Sequence, residues 1–311
     1  MPLLLHIRYS IILKFDILHT VHTTWPKSFI LAAIQIPPSP IWEGGSTGRI
    51  ISIDGIETYI THPRKEDDQV SSAEKQDSKR VLLNLTEGHS IYFINAQLLA
   101  DSFATHLDCD VIMPDQFRSQ RRVPISKLPH FPEGKEEIPP PVEGSDHTPP
   151  PYAKIQTGEE FETWKKTHDP PAIDPILESI VKYIRKTYGE DVKIAGVGYC
   201  FGGRFIIRLM GSGVIDVGVV SHPSFYTLDE VAKLERGKKL AIYAAETDEI
   251  HTPEIRRATE DALTRAGTTW TSSVFSATHH GLSVRGDLSI KMVRLAKERA
   301  FRGAVEWFKG L

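Results

Sequence analysis

From Val81 to the C-terminus, short apolar runs alternate with segments whose apolar residues recur every three or four positions. That alternation confines the chain to an α/β architecture, with a mostly parallel central sheet and helices on both faces. The run 81–85 is apolar without alternation, as suits a strand buried on both faces. Residues 94–107 have helical spacing, and 110–113 read as a strand halted at Pro114. Asp174-Pro175 reads as a helix start, with aspartate as the cap and proline at the first helical position. Further on, strands are expected at 192–197, 217–220, 240–245 and 269–275. Helices are expected at 201–210, near 228–234, at 253–266 and from about 288 to 308. Before this core, Asp54-Gly55 between two alternating runs predicts a β-hairpin.

Two stretches resist the pattern. Residues 1–40 are apolar but broken by His6, Arg8 and Lys14, and no small-residue cleavage site follows. They lack the apolar stretch of a signal peptide and read as an N-terminal extension. An excess of Arg8, Lys14 and Lys27 over Asp16 leaves a mitochondrial presequence as the alternative. The second stretch, about 118–171, is rich in proline and nearly aperiodic, so a long loop is expected there, either a cover over a site or a surface excursion. Residues 41–311 then read as one α/β domain. Two cysteines, Cys109 and Cys200, cannot make a disulfide framework and favour a reducing, cytoplasmic location. The net charge of −3 gives no reason to expect nucleic acid or an acidic membrane as partner. No run of about 18 apolar residues is present to span a bilayer.

The chemistry concentrates at Gly198-Tyr199-Cys200-Phe201-Gly202-Gly203. This block lies between an apolar strand and an apolar helix, the context of a nucleophile elbow, in which flanking glycines permit a sharp turn that lifts the nucleophile above the sheet edge. A helix start favours the thiolate of Cys200, and the N–H of Phe201 is positioned to hold a developing oxyanion. A thiol of this kind needs a base and the base an orienting acid. Glu246, Asp248 and Glu249 follow one strand and His279-His280 the next, in the chain order nucleophile, acid, histidine. His222 and His251 fall at the same sheet edge and compete as bases.

The blocks Gly198–Gly203, Glu246-Thr247-Asp248 and His280-Gly281-Leu282-Ser283-Val284-Arg285-Gly286-Asp287 resemble the three signature blocks of the dienelactone hydrolases, carboxymethylenebutenolidase-like members of the α/β-hydrolase superfamily. Trp42-Glu43-Gly44-Gly45-Ser46-Thr47-Gly48 resembles the opening element of the fungal-type branch. Asn95-Ala96-Gln97-Leu98-Leu99-Ala100-Asp101 fits in weaker form, and so do Leu85–Gly88 and Pro114-Asp115. The resemblance implies Cys200 as nucleophile, Asp248 as orienting carboxylate and His280, which directly precedes the glycine, as base. It implies Arg285 as a holder of a substrate carboxylate. A pairing of Arg285 with Asp287 or another nearby carboxylate is the structural alternative. Arg118, Arg121 and Arg122 are candidates for a second such arginine. Glu87 either modulates the thiol proton or is a strand-end carboxylate facing water, and the backbone near Gly88 is the natural second half of an oxyanion hole. His89 departs from the family, which more often has an aromatic or hydrophobic residue there.

These readings predict a carboxylic ester or lactone hydrolase working through a thioester on Cys200, with no cofactor and no metal. The pair His279-His280 and the lone His251 lack the spacing of a zinc motif such as H-E-x-x-H. Its partner is a small ester or lactone, and the protein is a monomer or homodimer. A redox-sensing thiol, or an inactive binding protein on the same fold, are the rival functions.

Overall fold

The computed structural model describes residues 42, 44–64, 80–118 and 158–310, without the side chains of 158–161. Residues 1–40, the charged segment 65–79 and most of the proline-rich stretch lie outside the described residues. Eight strands form one sheet in the order β1-β2-β4-β3-β5-β6-β7-β8. The hairpin β1 (Arg49–Ile53) and β2 (Ile56–Thr61) pairs antiparallel and joins β4 (Asp110–Pro114) in the same sense. Its turn is Asp54-Gly55, both at positive φ, as a tight turn matching the strand twist demands. From β4 onward every pairing is parallel: β3 (Arg80–Leu85), β5 (Lys193–Tyr199), β6 (Val217–Ser221), β7 (Lys239–Thr247) and β8 (Thr269–His279).

Seven helices flank the sheet among the described residues: α1 (Ile94–Leu107), α2 (Gly158–Thr167), α3 (Pro170–Tyr188), α4 (Phe201–Gly211), α5 (Leu228–Val231), α6 (Pro253–Ala266) and α7 (Lys291–Lys309). Alternation along the strands divides the core in two. Leu83, Leu85 and Ile194 pack with Ile176, Ile180 and Ile184 of α3, Phe205 and Ile206 of α4 and Leu263 of α6. Leu82, Val197 and Val219 pack on the other face with Leu99 and Phe103 of α1 and Ala300 and Phe308 of α7. Helices cover both faces, which is what parallel strands need. No helix among the described residues is long and apolar enough to cross a membrane.

Two expectations need correction. The helix expected to start at Asp174-Pro175 starts at Pro170, with Asp169 at its cap and Pro175 inside its first turns. Asp174 instead reaches Arg208 of α4. The loop expected over about 118–171 contains α2 within its second half. Trp164 of that helix is buried against Phe117, 5.7 Å away, and Phe201, 5.4 Å away. Smaller differences are that β7 and β8 run longer than expected, to Thr247 and His279, while α5 is a single turn.

Candidate active site

The parallel strands β3, β5, β6, β7 and β8 all present their C-terminal ends to one edge, where ligands collect in open α/β sheets. Cys200 caps α4 immediately after the central strand β5, at φ 49° and ψ −111°. A non-glycine residue at positive φ is strained, and the neighbouring glycines show why the turn nevertheless closes. A Cβ on Gly202 would lie 2.2 Å from the Leu85 carbonyl oxygen, and one on Gly198 would lie 2.6 Å from the Gly202 carbonyl oxygen. Backbone hydrogen bonds fasten the elbow: the Cys200 N–H to Ser221 O (3.0 Å), and the N–H groups of Gly203 and Ser224 to Cys200 O (3.1 and 2.9 Å).

The acid and the histidine come from the next two loops. Of the acidic cluster after β7, Glu246 and Glu249 are exposed and Asp248 is buried. The Asp248 Oδ1 accepts the N–H groups of Ile250 (2.9 Å) and His251 (2.8 Å). Its Oδ2 lies 2.8 Å from His280 Nδ1. His279 is exposed. Cys200 Sγ, a ring nitrogen of His280 and a ring nitrogen of His222 fall within 4.8 Å of one another. The sequence-predicted trio of Cys200, Asp248 and His280 is therefore brought together, and Sγ also contacts Ser224 Oγ at 3.1 Å.

Electrostatics follow from this placement. Burial disfavours the imidazolium of His280, but the facing Asp248 and Cys200 outweigh it and raise its pKa to about 10. Burial likewise opposes the Cys200 thiolate, yet His280 prevails and the thiol is pushed below its ordinary value. Asp248 is held far below the usual carboxylate range: burial raises it, and His280 with two backbone N–H groups more than compensates. All three shifts run in the direction of a thiolate–imidazolium pair backed by a carboxylate.

Glu87, at the end of β3, does not face water. It is 2% exposed, with Oε2 accepting from Arg285 Nε at 2.8 Å and Oε1 at 2.9 Å from His89 Nδ1. Arg285 thus has a carboxylate partner as the structural alternative foresaw, although the partner is Glu87, and burial alone would raise a carboxyl that Arg285 and His89 hold well down. The guanidinium lies over Gly281, where a Cβ would meet Arg285 Cζ at 2.5 Å. Gly88 follows in a turn closed by the Ser90 N–H on Glu87 O (3.0 Å). The Thr86 carbonyl next to it accepts both the Gly202 N–H (3.1 Å) and Gln116 Nε2 (2.9 Å), tying that turn to the elbow. Arg118 is exposed, and Arg121 and Arg122 lie outside the described residues.

Sequence reasoning missed how the Arg285 segment is braced. Asn95 is fully buried; its Nδ2 donates to Val284 O (2.9 Å) and its Oδ1 accepts the Trp42 N–H (2.9 Å). Trp42 Nε1 donates to Gly286 O (3.2 Å). These contacts span 189 and 244 residues, so only the motif blocks themselves could have pointed to them. His251, a competing base, is turned away to Tyr226 Oη, 3.0 Å from its Nδ1.

A parallel sheet carrying a strained elbow, with acid and histidine on the following loops, defines an α/β-hydrolase. The family model described as the dienelactone hydrolase family matches residues 112–311. The chain belongs to that family and is a hydrolase. Among its relatives, the hydrolase tropI of Talaromyces stipitatus is 33% identical over 265 residues, covering 85% of this chain and 91% of the relative. The hydrolase pyvD of Aspergillus violaceofuscus is 30% identical over 280 residues, covering 88% and 97%. A crystal structure of a candidate dienelactone hydrolase from Klebsiella pneumoniae superposes with a TM-score of 0.62 at 11% identity, covering 86% of this chain and all of that one; at that identity the likeness speaks for the fold.

Proposed function

We propose that this hydrolase cleaves a small carboxylic ester or lactone through a thioester on Cys200. The observation that carries the reading is the buried Asp248–His280 pair at 2.8 Å, set opposite Cys200 at its elbow. The Cys200 thiolate attacks the carbonyl carbon. The oxyanion is received by the N–H of Phe201, one of the unsatisfied amides at the start of α4, and by the Gly88 backbone across the Gly202–Thr86 bond. His280 delivers its proton to the departing alkoxide oxygen, then takes a proton from the water that attacks the thioester, and the acid leaves with Cys200 restored. Asp248 fixes the ring so that Nδ1 points to the carboxylate and Nε2 to the reaction. Glu87 neutralises Arg285 through Nε, which leaves the terminal guanidinium nitrogens to receive a substrate carboxylate in the manner arginine favours.

The test is hydrolysis of aryl esters and unsaturated lactones by wild type and Cys200→Ala, with and without a thiol alkylator. Loss of turnover in both the variant and the alkylated enzyme is expected. Retained activity in Cys200→Ala would place the nucleophile elsewhere and end this reading.

A further inference from the structure

One side chain at this edge has no part in the scheme above. His222, directly after β6, is fully buried, and neither of its ring nitrogens has a hydrogen-bond partner among the described residues. Its backbone is held at φ 40° by the His222 N–H on Tyr243 O (2.8 Å). Each unmade hydrogen bond of a buried polar group costs about 1–3 kcal/mol, so a ring left bare on both sides points to something that meets it. The ring stands edge-on to His280, centroids 4.9 Å apart at 69°. His280 Nδ1 is held by Asp248, and its other, buried ring nitrogen faces Cys200. A carboxylate on the far nitrogen is the arrangement that orients histidines toward a metal.

We infer that Cys200, His222 and His280 form a three-ligand site for a soft divalent cation of the zinc class, and that filling it silences the enzyme. The second half of that statement rests on the nucleophile assignment proposed above; the first does not. One thiolate and two imidazoles are a zinc donor set with a fourth position open to water. Tetrahedral coordination puts such donors about 3.3–3.6 Å apart, so the present cluster, within 4.8 Å, must contract by on the order of 1 Å. His222 turns toward an ion without breaking a hydrogen bond to any described residue, while Cys200 gives up its contacts with Ser224 and His280. Binding releases the one proton shared by Cys200 and His280 to solvent and changes no oxidation state. Asp248 and Glu87 offset the added charge, and Arg285 opposes it. With metal bound, the sulfur lone pair cannot attack a carbonyl and His280 has no site for a proton.

Titration of the full-length, reduced protein with Co²⁺ reads the site independently of hydrolysis. One cobalt per chain is expected, with a thiolate-to-cobalt charge-transfer band and tetrahedral visible absorption. Cys200→Ser removes the charge-transfer band. His222→Gln weakens binding by at least the roughly 10–100-fold that losing even an outer partner costs. On the unmutated protein, Zn²⁺ slows alkylation of Cys200, a chelator restores it, and buried Cys109 serves as internal reference. No charge-transfer band, a band indifferent to His222→Gln, or alkylation unaffected by Zn²⁺ would overturn the site and leave an adventitious ion only. An enzyme that binds cobalt in this way but hydrolyses no ester would fail the functional reading and keep the metal site.

Discussion

His280 stands between two groups with opposite demands on its proton. Asp248 stabilises the imidazolium through Nδ1, and Cys200 does so from the other side while becoming a thiolate itself. His280 pulls the Cys200 thiol below its ordinary value before substrate arrives, so the pH–rate profile should rise with an apparent pKa below the ~8.5 of a free cysteine. Asp248→Asn removes the charge and lets the ring adopt the wrong tautomer. Its turnover should fall by about 10²–10⁴-fold and its rising limb should move to higher pH, read from kcat/KM against pH. An unchanged limb would mean that Asp248 does not set the state of the pair. At this scale the sequence was legible where chemistry is written into short blocks. Cys200 could be picked from its elbow block, while chain order left Glu246, Asp248 and Glu249 open and the family resemblance chose Asp248 and His280; in the structure Asp248 is the buried one of the three acids. His222 was not separable from other sheet-edge histidines, because its neighbours come from loops far along the chain. Arg285 could be singled out, but not its partner Glu87, 198 residues away.

Among the elements, the junction of β5 and α4 is where packing most directly serves the site. Gly202 allows the helix start to lie against the end of β3, and no side chain fits there. Gly202→Ala should destabilise the protein by about 1–3 kcal/mol from overpacking and also lose most activity, since any relief moves the elbow away from Thr86. Gly55→Ala, at φ 76° in the β1–β2 turn, should cost about 1 kcal/mol with kcat unchanged. Thermal melts and turnover of the two variants distinguish the cases, and an active Gly202→Ala would show that the close approach is dispensable. The hairpin and α1 were legible from turn chemistry and spacing, and α6 from its spacing together with its Thr252 cap. The helix α2 was not: its stability comes from Trp164 stacked near Phe117 and Phe201, contacts that no window of local sequence contains. The start of α3 was misplaced because two Asp-Pro pairs lie five residues apart, and Asp174 is used for Arg208 rather than for a cap.

For the molecule as a whole, strain and buried charge gather at one edge. Ser90, Arg118, Cys200, His222, Phe225 and Ala277 all have positive φ, and each follows or lies near the C-terminal end of a parallel or adjoining strand. The Glu87–Arg285 ion pair is part of this edge. Glu87 is depressed in the folded state, so its contribution to stability is present above the unfolded carboxylate value of ~4.3 and is lost as pH falls below it. Glu87→Gln should therefore unfold more easily at pH 7, by about 3–5 kcal/mol for a buried cation left alone, and the gap to wild type should narrow as pH drops below ~4. Denaturant melts across pH check this, and a gap independent of pH would assign the effect to packing.

That same pair has a meaning in time. The polypeptide is made from its amino end, and at roughly 5–20 residues per second the 198 residues from Glu87 to Arg285 take on the order of 10–40 s. Cys200 leaves the ribosome before His280 and Arg285 exist. Until they arrive, His280 is not there to pull down the pKa of the Cys200 thiol, so the nascent chain lacks that activation. On the proposed mechanism, Cys200 is activated only once the last strand and the loop beyond it have been synthesised, so the thiol is kept quiet through the interval when the chain is most exposed.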